Sequence, residues 1–129
     1  MMRPEPARFH LDPASGVPFY RQIIDQILAA IATGALSTGD RLPTVRQLAV
    51  DLAVNFNTVA RAYKELEIRG VLATHQGTGT FVAESEVRMD EVERRRQVDR
   101  LVDEFLARAA RQGLTLDELR RALAERGEA

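Results

Sequence analysis

The sequence predicts an α+β fold in two parts: three helices and a two-stranded hairpin, followed by a short two-helix tail. Three observations lead there. Apolar residues recur at helical spacing in five segments, two short β-forming runs flank a glycine-containing turn, and beyond Glu84 the composition changes to charge-rich helix. The expected organisation is an extension over 1–16, a helix-and-hairpin domain over 17–84 and a helical tail over 85–129, with residues 1–6 expected to fray.

Tyr20, Ile23, Ile24, Ile27, Leu28 and Ile31 fall at steps of three and four, one face of an amphipathic helix. Pro18 suits its first turn, where a missing N–H costs nothing, and Gly34 suits the left-handed position past its end. After the turn signal Gly39-Asp40, Thr44 stands three residues before Gln47 and so forms a capping box. A short second helix starts there, turns Leu48, Ala49 and Leu52 inward and ends near Ala53. Asn55 caps the third helix, and Val54 with Val59 supplies the apolar staple that fixes the entry angle of the chain. The buried stripe of that helix is expected at Val59, Ala62, Tyr63 and Leu66, with Gly70 as terminator.

Val71 to His75 and Thr80 to Val82 read as two strands around Gln76-Gly77-Thr78-Gly79. In the tail, Val98, Leu101, Val102, Phe105, Leu106 and Ala109 form one stripe ended by Gly113. Thr115 and Glu118 make a second capping box, and Leu114 with Leu119 a second staple. The last helix carries Leu116, Leu119, Ala122 and Leu123.

The chain has 129 residues, 45% hydrophobic and 29% charged, a balance that disfavours general disorder. It has no cysteine, so disulfide stapling and thiolate metal sites are excluded. No apolar run resembles a signal peptide or is long enough to cross a bilayer, and the expectation is a cytoplasmic protein without membrane contact. Net charge is -1. Residues 1–83 hold eight basic and seven acidic side chains, and residues 84–129 hold ten and twelve, so the tail is no basic arm. Arg94-Arg95-Arg96 sits among Glu91, Glu93 and Asp99, which favours a solvated face with ion pairs one turn apart. Arginine outnumbers the single lysine, Lys64, more as a genomic bias than as an adaptation to phosphate.

No phosphate-binding glycine loop, Cys-His pair, metal-ligand cluster or spaced carboxylate pair is present, so an enzyme is not expected, and no cofactor is called for. Two helices joined by a tight turn, the second starting with polar residues, is instead the arrangement that lets a recognition helix enter the major groove. A helix-turn-helix used only for protein interaction is the competing possibility. Sequence-selective, salt-sensitive duplex binding separates the two.

The run Gly34-x-Leu36-x-x-Gly39-x-x-Leu42-Pro43-Thr44-x-Arg46-x-Leu48-Ala49, then Asn57-Thr58-Val59 and Gly77-x-Gly79-Thr80-Phe81-Val82, resembles the DNA-binding domain of the GntR family of bacterial transcriptional regulators. The likeness spans about residues 17–83. Asn55-x-Asn57-Thr58-Val59-Ala60-Arg61-Ala62-Tyr63-x-Glu65-Leu66-Glu67 looks like the YtrA-like subgroup, whose two-helix tail replaces a large effector domain. This resemblance implies a winged helix-turn-helix and a repressor that binds an inverted-repeat operator as a homodimer, with a transporter operon as a plausible target. Phe56 departs from the subgroup, which commonly has proline or a basic residue there.

The expected DNA contacts are Thr44, Arg46, Asn55, Phe56, Asn57, Thr58 and Arg61 on the helix pair and Gln76, Gly77 and Thr78 on the wing. Arg46 can fork onto guanine O6 and N7 or onto phosphate, with a surface pair to Asp51 as the plain alternative. Asn55, Asn57 and Thr58 offer short polar groups at a helix start, where capping is the structural alternative. Arg61 can reach base or backbone unless Glu65, on the same face, engages it. Gly77 lets backbone N–H groups approach a phosphate. His75 reads as a strand-end polar residue, and His10 is isolated. The expected dimer interface is Val98, Leu101, Val102, Phe105, Leu106, Leu119 and Leu123. Operator, target genes and any small effector are left open by the sequence.

Overall fold

The computed structural model describes residues 9–84 and 89–127. The fraying expected at 1–6 lies outside the described residues. The chain divides into two compact units, residues 1–85 and 86–129.

In the first unit, α1 (Phe19–Thr33) buries Ile23, Ile24 and Ile27 on the stripe the sequence marks, with Tyr20, Leu28 and Ile31 half-buried beside it. Pro18 sits one position earlier than expected, as the N-cap, and its carbonyl accepts the N–H groups of Arg21 and Gln22. Gly34 closes the helix at φ 85°, a left-handed conformation in which a Cβ is strained.

The helix α2 (Val45–Leu52) begins at the capping box: Thr44 Oγ1 accepts the Gln47 N–H at 3.0 Å, and Gln47 Oε1 accepts the Thr44 N–H at 3.2 Å. It ends at Ala53, a non-glycine residue at φ 55°. That left-handed residue makes the turn tight enough for α3 (Phe56–Ile68) to start three positions later. Val59, Ala62, Tyr63 and Leu66 of α3 are buried, and with the α1 stripe, Leu36, Leu42, Leu48, Leu72 and Val82 they form one core. Gly70 follows α3 at φ 77°.

The antiparallel strands β1 (Leu72–His75) and β2 (Gly79–Val82) pair Leu72 with Val82 and His75 with Gly79. Each ends where the sequence expectation puts it and starts one residue away, with Val71 outside and Gly79 inside. The segment before α2 extends this hairpin: Gly39 N–H donates to Val82 O, Val82 N–H to Asp40 O, and Leu42 N–H to Thr80 O. Arg41 forms a bridge with Phe81 there, and a Cβ built on Gly79 would lie 2.8 Å from Arg41 Nε. Gly79 is therefore a site of close approach.

The segment preceding α1 is fastened by a buried glutamine. Gln22 Nε2 donates to the carbonyls of Asp12 and Val17 and to Ser15 Oγ, while Gln22 Oε1 accepts the Asp12 N–H. Gln26 clamps His10 in the same way, donating to its carbonyl and accepting its N–H.

In the second unit, α4 (Glu91–Arg111) is capped by Asp90, whose Oδ1 accepts the Glu93 N–H at 2.8 Å. Gly113, at φ 76°, turns the chain into α5 (Leu116–Gly127), where Thr115 and Glu118 exchange the two bonds of the expected capping box. Arg95 pairs with Asp99 one turn along at 3.3 Å, both side chains exposed. Among the described residues of this unit, Ala109 alone is buried.

Candidate nucleic-acid interface

The starts of α2 and α3 meet across the turn at Ala53. Thr44, with its hydroxyl committed to the cap, and Arg46 are exposed on the first turn of α2. Asn55 Oδ1 accepts the Asn57 N–H at 2.7 Å, so the structure places Asn55 as a cap. Asn55, Phe56 and Asn57 are exposed and Thr58 is half-buried. The Arg46 guanidinium carbon lies 5.7 Å from the centroid of the Phe56 ring, within cation–π range. Phe56, 48% exposed, thus links the two helices from the outside. Arg46, Ala49, Val50, Val54 and Phe56 line one shallow depression there.

A second open depression lies along the other side of the α3 start, lined by Pro18, Tyr20, Asn55, Asn57, Thr58 and Arg61. Here the competing pair that the sequence offered for Arg61 does not form. Glu65 does not take Arg61; it pairs with Arg69 at 3.2 Å, and the Arg61 guanidinium stacks over Tyr20 at 3.7 Å from the ring centroid. Nor does Arg46 pair with Asp51; its guanidinium lies over the Phe56 ring instead.

Gln76, Gly77 and Thr78 are exposed at the hairpin turn, Gly77 at φ 81°. His75 packs its ring against Phe81 at 5.6 Å, which fits the strand-end role expected of it. The hairpin is anchored to α3 through Thr74, whose hydroxyl donates to Glu67 and lies 3.0 Å from the Thr80 hydroxyl. Tyr63 is buried and its hydroxyl donates to Pro43 O at 2.6 Å, tying α3 to the residue before the Thr44 cap. Burial pushes the phenol's pKa well above its ordinary value of about 10. Neither Tyr20 as a ring under Arg61 nor Tyr63 as a strut is identified by spacing alone. Their aromatic character on an apolar stripe signals burial, not partner.

The described residues contain no group of three or more His, Cys, Asp or Glu side chains placed to hold a metal ion. No described helix is long and apolar enough to cross a membrane.

A tight helix pair whose second member starts with exposed polar groups, backed by α1 and flanked by an antiparallel hairpin, defines a winged helix-turn-helix protein. The family model for bacterial regulatory proteins, gntR family, matches residues 19–82. The chain is 45% identical over 75 residues to the HTH-type transcriptional repressor YtrA of Bacillus subtilis, a match spanning 58% of this chain and 58% of that protein. It is 39% identical over 109 residues to the uncharacterized HTH-type transcriptional regulator YhcF of the same organism, covering 81% of this chain and 86% of YhcF. Among solved structures, YtrA from Sulfolobus acidocaldarius, a GntR-family transcription factor, superposes with a TM-score of 0.56 at 36% identity, covering 77% of this chain and 97% of that one. AraR(DBD) in complex with operator ORX1 superposes with a TM-score of 0.52 at 32% identity, covering 57% and 92%. The chain belongs to the GntR family, with YtrA-like relatives. These relatives are named as transcriptional regulators and not as enzymes.

Proposed function

We propose that this chain is a cytoplasmic, sequence-specific repressor that binds an inverted-repeat operator as a homodimer, with a transporter operon among its plausible targets. The observation that carries DNA binding is the exposed pair of helix starts, where Arg46 rests on Phe56 beside Asn55, Asn57 and Thr58. The solved complex of the similar AraR(DBD) with operator DNA supports the same use of this fold. Arg46 supplies a guanidinium fork for guanine or phosphate, and the Phe56 ring offers an apolar face to a thymine methyl. Thr44, Asn57, Thr58, Arg61, Gln76, Gly77 and Thr78 complete the contact surface, mainly to the backbone. No cofactor is part of the proposal.

Dimerisation is assigned to the tail. Val98, Leu101 and Phe105 are 49%, 63% and 45% exposed, and Val102 and Leu123 are open as well, with Leu106 and Leu119 half-buried. Such a stripe is covered by packing across a two-fold axis, which in turn presents two recognition helices to two half-sites.

Selection from random duplex DNA, followed by competition binding at two salt concentrations, tests this. Arg46→Ala is expected to weaken the best duplex by about 1 to 3 kcal/mol and to relax preference at one base pair if the residue reads guanine. If Arg46 holds phosphate, all sequences weaken together and the salt slope flattens. Phe56→Pro, tolerated at a first helical position, is expected to change preference at one base while leaving the salt slope in place. Wild-type affinity and specificity after Arg46→Ala refute the surface.

A further inference from the structure

We propose that Tyr20, at the start of α1, is a positioning residue for DNA binding: its ring holds Arg61 of α3 in place for an acceptor oxygen of the duplex. The inference rests on the DNA-binding function proposed above and adds to it a residue outside the helix pair.

Arg61 lies four residues after Asn57 and three after Thr58, so the three share one face of α3. The same three residues and Tyr20 line one depression. The guanidinium carbon lies over the Tyr20 ring, 3.7 Å from its centroid and well inside the roughly 6 Å limit of a cation–π contact. Tyr20 is half-buried and packed against the core, so its ring is a fixed platform. Arg61 is exposed, has no acid partner among the described residues, and the nearby Glu65 is engaged by Arg69.

A long arginine side chain on a surface samples many rotamers, and ordering them opposes binding. Stacking on a fixed ring removes part of that freedom before DNA arrives. It occupies the π face of the guanidinium and leaves the in-plane N–H groups to donate. Packing alone explains an aromatic residue at position 20. It does not explain an arginine lying on the ring with its own carboxylate neighbour engaged elsewhere.

The test is a double-mutant cycle on the full chain, using as probe the duplex most enriched by the wild-type protein from a random-sequence pool. Tyr20→Leu, which keeps apolar bulk and removes the ring, is expected to weaken binding roughly two- to thirtyfold. Tyr20→Phe, which keeps the ring, should bind like wild type. In an Arg61→Ala background, Tyr20→Leu should have no further effect. Thermal melts accompany each variant. Should Tyr20→Leu fail to fold, the free wild-type protein still decides: Arg61 side-chain protons stacked on a ring show upfield NMR shifts, and ordinary arginine shifts would overturn the proposal. A loss of equal size with and without Arg61, or no loss at all, overturns it too while leaving DNA binding intact. A wild-type protein that enriches no duplex refutes the DNA-binding function itself, a result distinct from both.

Discussion

The two units of this chain use apolar residues in opposite ways. In the first, Ile23, Ile24, Ile27, Val59 and Leu66 are fully buried and the helices, hairpin and preceding segment share one core. In the second, α4 and α5 carry stripes of equal regularity, yet only Ala109 among the described residues is buried. Periodicity sets which side of a helix is apolar, and the number of elements that can converge on that side sets whether it is covered. Three helices and a sheet can enclose a core. Two helices cannot, and the exposed stripe of the tail is the physical ground for the proposed two-fold interface.

The sharpest way to break this contrast is to place a charge on the tail stripe. Phe105→Glu is expected to turn a dimer into a monomer by light scattering, and to lower affinity for an inverted-repeat duplex by about 10² to 10⁴ as the second half-site ceases to be intramolecular. Unchanged mass and affinity would remove the tail from the interface. The first unit should fail differently: Leu66→Ala, in the middle of the core, is expected to cost about 2 to 5 kcal/mol of stability in a denaturant melt. Leu101→Ala, an exposed position, should leave the stability of the first unit within about 0.5 kcal/mol.

Smaller effects sharpen the picture within the first unit. Thr44→Ala removes the side-chain half of the α2 capping box and should cost about 1 kcal/mol. Restoration by Thr44→Ser in thermal melts would confirm the cap as the cause. The smallest effect concerns Tyr63. Its phenol is raised on folding, so above pH of about 10 the unfolded chain releases a proton that the folded chain retains. Stability from this group is present below that pH and is lost as pH rises beyond it. Melting temperature should therefore fall more steeply above pH 10 in wild type than in Tyr63→Phe, and parallel curves would contradict the assignment.

Local chemistry was legible wherever a cap or a terminator is spelled by neighbours in the chain. Thr44 with Gln47, Asn55 before α3, Thr115 with Glu118, and Gly34, Gly70 and Gly113 all take the roles their positions announce. The α3 stripe at Val59, Ala62, Tyr63 and Leu66 is buried as its spacing requires, because a period of 3.6 leaves only one side apolar. The family likeness, carried by several spaced motifs at once, was legible too.

Only tertiary structure decided the partners. Spacing on one helix offers Arg61 just its own neighbour Glu65, whereas folding brings α1 alongside α3 and sets Tyr20 beneath the guanidinium. Gln22 looks like a polar interruption of an apolar helix until the segment from Asp12 to Val17 folds over it and supplies its hydrogen bonds. Ala53 looks like a good helix former, yet the closing of α2 against α3 holds it at φ 55°. Gly39-Asp40 reads as a turn and becomes, in addition, an edge of the hairpin paired with β2. In each case sequence determined the short-range terms, caps and periodic burial, because they act between residues a turn or less apart. The contacts between distant residues depend on which faces meet, and that is a property of the assembled fold.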